Sequence, residues 1–186
     1  MFTKHIEQMN TIACIKSRRS IRRYLPRKVA HEIIEELIAC AKWAPSWNNC
    51  KAVRYTVVER EEDLKELADT LVASENIHIV RNAPLIFIIS NVKKRSGYER
   101  DGHTSSAKGD SWEMFDAGAA CQTLCLAAAE LGLGTVIMGT FDEIGIGRFA
   151  GIPENEEIIA LVACGYADET PKAPRRKEVA EILRYL

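Results

Sequence analysis

The residues best suited to chemistry lie in one short basic segment near the start of the chain. It spans residues 16–28, reads KSRRSIRRYLPRK, and contains seven Lys or Arg. No acidic residue occurs between Glu7 and Glu32. A guanidinium group binds phosphate oxygens in pairs, so the basic segment is a candidate anion site. A solvated basic surface is the commoner outcome for a run of charge, and the rest of the sequence must decide between the two.

The overall composition is that of an ordinary globular domain, and it excludes several classes of protein. The chain has 186 residues, with 25 Lys or Arg against 26 Asp or Glu and a pI of about 6.4. A general nucleic-acid binder has a basic pI, so we expect no nucleic-acid partner. The N-terminus lacks the apolar region of a signal peptide, and no stretch approaches the ~20 apolar residues of a membrane span. We therefore expect one domain over residues 1–186, a cytoplasmic location and no membrane partner.

The usual catalytic and nucleotide-binding motifs are absent from the sequence. There is no G-x-G-x-x-G loop and no Walker-type G-K-[ST] sequence. The six cysteines, at positions 14, 40, 50, 121, 125 and 164, form no C-x-x-C pair, and the four histidines show no metal spacing. We expect the cysteines to fill the core, with a metal or redox pair as the alternative. A basic anion site without a nucleophile, a metal or an acid–base pair indicates that a bound cofactor carries the reaction.

Hydrophobic periodicity predicts an α+β fold with helices around a small central sheet. We predict helices at residues 8–18, 29–44, 63–73 and 111–131, and a short helix from the capping residue Asp142 to Phe149. We predict strands at residues 53–59, 85–89, 135–138 and 157–164. The continuous apolar run at 85–89 is typical of a central strand buried on both faces. Residues 93–111 are polar and contain three glycines, so we expect a mobile loop there.

The predicted helix at residues 111–131 has an unusual pattern. No charged residue occurs between Asp116 and Glu130, so the helix is apolar nearly all round. Such a helix must be covered on all sides, either at the centre of the domain or against a second subunit. The glycines at 132 and 134 are expected to end it.

The basic segment resembles the R-[RH]-S-x-R/K-x-[FY] opening of the nitroreductase family of FMN-dependent oxidoreductases. The matching residues are Arg18-Arg19-Ser20-Ile21-Arg22-Arg23-Tyr24. Further segments resemble the family in the same order along the chain: Ala44-Pro45-Ser46 with Asn49, Asp116 to Gln122, Leu131 to Gly134, Met138 to Asp142, Gly151 to Glu154, Gly165-Tyr166, and Arg176-Lys177 before Glu181-Ile182. Each match alone is weak, but the ordered set over residues 12–183 is specific.

The resemblance implies a role for each group of matching residues. The residues that resemble the binding site of the FMN phosphate and ribityl chain are Arg18, Arg19, Ser20 and Arg22. The residues that resemble a C-terminal clamp on the same phosphate are Arg176 and Lys177, with Arg175 in reserve. The residues that resemble the loop which a partner subunit lays over the flavin are Pro45, Ser46, Trp47 and Asn49. The residues that match the turn near flavin N5 are Met138, Gly139 and Thr140. Asn76 is a weaker match to a polar flavin contact.

The resemblance also implies the activity and the assembly. It implies a nitroreductase-like fold with a mostly antiparallel sheet, an intertwined homodimer, and FMN with NADH or NADPH as the reductant. The expected reaction is ping-pong hydride transfer through flavin N5 to a small conjugated acceptor such as a nitroaromatic or a quinone. Neither a catalytic side chain nor a metal is expected. The backbone and the positive charge would orient the flavin and stabilise its anionic reduced form.

Two alternatives stay open, and one departure from the family pattern affects them. The first alternative is a specialised flavin branch that fragments flavin or removes halogen from an aromatic substrate. The second is a non-enzymatic, dimeric anion- or RNA-binding module, against which the balanced charge and the lack of interleaved aromatics argue. The departure is Lys51-Ala52-Val53, where family members commonly have Gln-Pro-Trp. It adds a positive charge and removes an aromatic ring, which affects the expected loop geometry and substrate preference.

Overall fold

The structure is a computed structural model that describes residues 10–186. Its helices are α1 (Thr11–Ser17), α2 (His31–Ala41), α3 (Glu61–Glu66), α4 (Ile77–Asn82), α5 (Ser111–Glu130), α6 (Glu143–Ala150) and α7 (Val179–Ile182). Its strands are β1 (Val53–Val58), β2 (Leu85–Val92), β3 (Gly134–Met138) and β4 (Glu156–Gly165). Residues 1–9, which include the first two residues of the predicted helix 8–18, lie outside the described residues.

The strands form a 4-stranded antiparallel sheet in the order β1-β2-β4-β3. The central strands β2 and β4 are in a register that pairs Phe87 with Val162 and Ile88 with Leu161. Successive side chains of a strand point to opposite faces. Because Phe87 and Ile88 are both fully buried, β2 is covered on both faces. This confirms what the apolar run at 85–89 predicts, together with the α+β class and the antiparallel sheet.

A helical layer covers each face of the sheet. On one face, Leu37 of α2 and Leu124 of α5 form a core cluster with Phe87. On the other face, Val80 of α4 and Ile146 of α6 belong to a second cluster, which also includes residues of α3 and of β2. Asp142 caps α6 as predicted, because its Oδ1 accepts the backbone N–H of Gly145 at 3.0 Å.

Two local predictions are corrected by the structure, and one helix was not predicted. The helix predicted at 63–73 begins at Glu61, where acidic residues favour a helix N-terminus, and it changes to a π-helical turn at Leu67–Leu71. Helix α4 was not predicted, since six residues are too few to display a helical repeat. Gly132 ends α5 with a φ of 76°, but Gly134 begins β3 and is not part of the stop signal.

Helix α5 is covered on one side only within the chain. The buried side contains Ala117, Cys121 and Leu124, among others. On the opposite side, Phe115 is 65% exposed, and Met114, in the first turns of the helix, is 51% exposed. Within one chain α5 is therefore not covered on all sides, and burial against a second subunit, the other alternative, stays a prediction. No helix in the described residues is long and apolar enough to cross a membrane.

Candidate functional site

A cavity of about 400 Å³ lies beside residues 16–22, the first half of the basic segment, and we call it the arginine cavity. Its lining includes Arg18 and Arg19 after α1, Gly132 and Gly134 after α5, and Glu169 and Thr170 after β4. Glu169 is the one acidic residue in this lining. Its Oε1 accepts the backbone N–H of Arg22 at 2.5 Å and that of Arg23 at 3.2 Å, so hydrogen bonds hold the carboxylate against the chain.

Arg18 lines the arginine cavity, and one nitrogen of its side chain has no hydrogen-bond partner. Its backbone N–H ends α1 by donating to the Cys14 carbonyl at 3.0 Å. The Nε of its guanidinium is buried and donates to no other described residue. A buried donor without an acceptor costs about 1–3 kcal/mol, and a bound anion would remove that cost. The residues present therefore fit a phosphate group.

Arg19 is held in place by the chain around it. Its Nη1 donates to the carbonyl oxygens of Lys16 at 2.7 Å and of Arg18 at 2.8 Å. The other guanidinium nitrogens, Nε and Nη2, have no hydrogen bond to another described residue. The Arg19 side chain is thus a fixed cation at the cavity wall, and its Nε and Nη2 can donate hydrogen bonds to a ligand.

The first half of the basic segment runs along the edge strand β3. Ser20 bridges to Thr135 in parallel, and the backbone N–H of Ile21 donates to the Thr135 carbonyl at 2.9 Å. Gly134 makes this approach possible, because a Cβ at that position would lie 2.5 Å from Cγ1 of Ile21. The sheet therefore fixes the position of Ser20 and of the arginines that precede it.

The turn after β3 lies at the other end of the same strand. At ~3.3 Å per residue, Met138 is ~10 Å along the strand from Thr135. Met138 is buried, whereas Gly139 and Thr140 are exposed. The Asn76 amide donates to the Thr140 carbonyl at 3.3 Å, which places the weakest predicted site residue against this turn. Ser20, Asn76 and Thr140 thus lie along one edge of the sheet.

Residues 45–51, which we call the cover loop, have a strained backbone. Asn48, Asn49 and Lys51 have φ values of 42°, 53° and 54°. This left-handed region is tolerated by Asn but costs an ordinary residue roughly 1–2 kcal/mol. The backbone N–H of Lys51 donates to the Ser46 hydroxyl at 3.1 Å, which stabilises the turn. Such strain is concentrated at functional sites.

The cover loop borders a second cavity, of about 710 Å³, which we call the loop cavity. Of the four predicted site residues in this loop, Pro45, Ser46 and Asn49 line the loop cavity, but Trp47 does not. Trp47 instead packs against Trp112 at the start of α5, with ring centroids 4.4 Å apart. Its indole Nε1 is buried and donates to no described residue.

The carboxylate of Asp116 accepts hydrogen bonds from the cover loop. Asp116 is 2% exposed, and its Oδ2 accepts the backbone N–H of Trp47 at 2.9 Å. The same oxygen accepts the Ser96 hydroxyl at 2.6 Å and the Cys50 thiol at 3.6 Å. Three donors from two loops therefore converge on one buried oxygen.

The predicted C-terminal clamp is not brought to the arginine cavity within one chain. Arg176 and Lys177 lie in an exposed segment between β4 and α7. Neither side chain makes a hydrogen bond or ion pair with another described residue. The chain reaches the cavity only as far as Thr170 and Pro171.

The cysteines behave as the core-filling interpretation expects. All six are free, and Cys14, Cys121, Cys125 and Cys164 are buried. Burial raises the pKa of Cys121 and of Cys164 to about 12, which leaves both thiols protonated and unreactive. Among residues 10–186, no group of three or more His, Cys, Asp or Glu side chains is arranged to hold a metal ion.

Comparison with known proteins assigns the chain to a family. A model described as the nitroreductase family matches residues 15–78 and 75–166. The chain belongs to the nitroreductase family. The resemblance stated from the sequence, and the oxidoreductase class that it implies, are confirmed.

Similar proteins cover nearly the whole chain. A protein of Methanothermobacter thermautotrophicus named "Putative NADH dehydrogenase/NAD(P)H nitroreductase" is 30% identical over 177 residues, 89% of this chain and 82% of that protein. The crystal structure of a nitroreductase family protein from Clostridium difficile 630 is 28% identical and has a TM-score of 0.78, covering 95% of this chain and 98% of that one. An FMN-dependent nitroreductase from Clostridium difficile R20291 is 25% identical with a TM-score of 0.76, covering 93% and 98%.

Sequence reasoning did not predict the hydrogen bonds of two residues near the candidate site, Asp116 and Glu169. Asp116 was noted only within a matching segment, although a charged residue beginning a long uncharged stretch of helix was a usable signal. Glu169 gave no signal, because its role depends on backbone N–H groups more than a hundred residues away.

Proposed function

We propose that this protein is an FMN-dependent oxidoreductase that uses NADH or NADPH to reduce a small conjugated acceptor, such as a nitroaromatic or a quinone. The observation that carries the proposal is the buried, unpartnered Nε of Arg18 beside a basic cavity at one end of β3. The name of the FMN-dependent relative supports the same cofactor. The turn at Met138–Thr140 and the Asn76 amide, at the other end of the strand, are our candidates for the flavin ring.

The role of the chain is to bind and orient the cofactor. Bound FMN would supply the redox chemistry, by accepting a hydride at N5 from NAD(P)H and passing it to the acceptor. Arg18 and Arg19 would donate charge-assisted hydrogen bonds to the phosphate, with Ser20 and Arg22 beside them. The hydrogen bond from Asn76 to Thr140 would fix the turn that faces the ring. We assign no side chain as a catalytic residue.

We also propose that the protein is a homodimer, with the cover loop and the C-terminal clamp contributed across the interface. Met114 and Phe115 are exposed apolar residues near the start of α5. In the segment after β4, Val179 and Ile182 are 66% and 68% exposed and belong to no core cluster. A second copy would bury both surfaces, and it would give Arg176 and Lys177 an anion to bind.

The cofactor proposal is tested by purifying the protein and measuring its flavin content. We expect yellow protein with flavin absorbance near one FMN per chain, and oxidation of NADH or NADPH that depends on an added nitroaromatic or quinone. Protein that is colourless, and that gains neither absorbance nor thermal stability when FMN is added, would refute the proposal.

The homodimer is tested by sedimentation equilibrium with matched surface variants. Wild type should have twice the mass of the chain, and Phe115→Glu should shift it toward the monomer. Ile144→Glu is the control, because Ile144 is 69% exposed on α6, away from α5. A monomeric wild type, or equal dissociation by the two variants, would contradict this interface.

A further inference from the structure

The buried carboxylate of Asp116 has no positive partner. Ion pairs within the described residues do not include it, although only 2% of the residue is exposed. Its Oδ2 is satisfied instead by the Trp47 N–H, the Ser96 hydroxyl and the Cys50 thiol. Burying an unpaired charge is costly, and hydrogen bonds to an ionised acceptor are among the strong ones. A general need for stability would be met more simply by an apolar residue at this position.

The three donors come from two segments that are far apart in sequence. Trp47 and Cys50 belong to the cover loop, and Ser96 belongs to the turns that follow β2. Cys50 and Ser96 also contact each other, with Sγ and Oγ 3.1 Å apart. Asp116 therefore joins the cover loop, the 93–111 segment and α5 at a single oxygen.

The cover loop needs such an anchor because its backbone is strained. Asn48, Asn49 and Lys51 all lie in the left-handed region, and a conformation of this kind persists only when its surroundings over-determine it. The hydrogen bond to the Trp47 N–H comes at the start of this stretch, and the Cys50 thiol lies within it. The Trp47–Trp112 contact supports the same arrangement from the side of α5.

The part of the cover loop that Asp116 anchors borders a cavity. Pro45, Ser46 and Asn49 line the loop cavity, and Asp116 itself forms part of its wall. We propose that Asp116 is a positioning residue that sets the cover loop in its ligand-binding conformation and couples it to the 93–111 segment. The inference rests on the proposed flavin function and dimer, and it adds to them the residue that controls how tightly the cover loop of one subunit closes over the flavin of the other.

The test compares Asp116→Asn with Glu113→Gln, a matched control one helical turn earlier. Glu113 is equally buried, at 2% exposed, but its Oε1 accepts the backbone N–H of Lys94 at 2.5 Å, outside the cover loop. An Asn at 116 retains the shape and can place its one oxygen where Oδ2 lies, but it removes the negative charge, so the three hydrogen bonds become neutral ones of roughly half the strength. A merely structural role predicts that the two variants lower the melting temperature of the FMN-free protein without changing the FMN dissociation constant.

We expect Asp116→Asn to raise the FMN dissociation constant, measured by quenching of flavin fluorescence, at least fivefold, and Glu113→Gln to change it less than twofold. Asp116→Leu, which removes every acceptor, should raise it further. If the Leu variant does not fold, the Asn variant decides. An Asp116→Asn protein that binds FMN within twofold of wild type would overturn the inference while leaving the proposed function intact. A wild type that binds no FMN would refute the proposed function itself.

Discussion

The two halves of the basic segment carry similar charge but occupy different environments. Arg18 and Arg19 line a cavity, and the Nε of Arg18 is buried without an acceptor. Arg23 is 68% exposed at its side chain and lies 3.6 Å from Glu169, while Arg27 lies over the Tyr166 ring at 3.9 Å from its centroid. The first half is hydrogen-bonded to β3 and lies beside the turn after α5. The second half pairs instead with the residues that follow β4, where the Leu25 N–H donates to the Tyr166 carbonyl at 2.9 Å. The buried, unpartnered Nε, more than charge itself, is our reason to propose Arg18 and not Arg23 as a phosphate ligand.

The strongest test of this difference is the FMN affinity of Arg18→Ala against Arg27→Ala. Losing charge-assisted hydrogen bonds of about 1.5–3 kcal/mol should weaken FMN binding roughly 10- to 100-fold for Arg18→Ala. Arg27→Ala should change the dissociation constant less than about twofold, since its partner is the Tyr166 ring and not a ligand. Fluorescence titration of the apo-proteins measures both constants. Equal losses would mean that the two halves do not differ in function.

A second test removes the space that lets the first half approach β3. In Gly134→Ala the new Cβ would lie 2.5 Å from Cγ1 and 2.7 Å from Cβ of Ile21. We expect the free energy of unfolding to fall by about 1–3 kcal/mol, as for other overpacked sites. Urea denaturation measures the change. Gly147→Ala is the control, because nothing lies within 4 Å of the position that its new Cβ would take, so an equal loss there would remove the argument from close approach.

The junction between the halves is tested at Tyr24. Its buried hydroxyl donates to the Ile21 carbonyl at 2.6 Å, and burial raises the pKa of the phenol well above its usual range. Tyr24→Phe should lower the free energy of unfolding by about 1 kcal/mol at neutral pH. Because the unfolded chain loses this proton near pH 10 and the folded chain does not, wild type should lose stability as the pH rises above ~10. A variant with the same alkaline loss as wild type would assign that loss to another group.

The smallest effect is expected at the surface pair of Arg23 and Glu169. Arg23→Ala removes one exposed ion pair at 3.6 Å, for which we expect a loss of less than about 0.5 kcal/mol. Urea denaturation and FMN titration should both give values close to wild type. A loss above about 1 kcal/mol, or a clear fall in FMN affinity, would place Arg23 with the first half of the segment.

Much of the fold could be predicted from local patterns. The apolar run at 85–89 predicted a central strand, and β2 is buried on both faces because helices cover the sheet on each side. The cap at Asp142 was predicted because a side-chain acceptor three residues before a free N–H is a local arrangement. Helix α4 was not predicted, since six residues carry too little periodicity. The mobility expected for residues 93–111 stays a prediction, although hydrogen bonds such as Ser105 N–H to the Gly97 carbonyl at 2.8 Å define its turns.

Part of the candidate site could likewise be predicted from the local sequence, and part of it depends on contacts between distant residues. The types and order of Arg18, Arg19 and Ser20 were sufficient to suggest an anion site, because the chemistry of a guanidinium belongs to the residue itself. The family was suggested only by the ordered set of matching segments along the chain. Which arginine has a buried, unpartnered nitrogen depends on how the chain packs. That packing brings Gly134 against Ile21 and Glu169 against the backbone of Arg22. The convergence of Trp47, Cys50 and Ser96 on Asp116 is likewise visible only in three dimensions, since hydrogen bonds between loops depend on distances that no local pattern encodes.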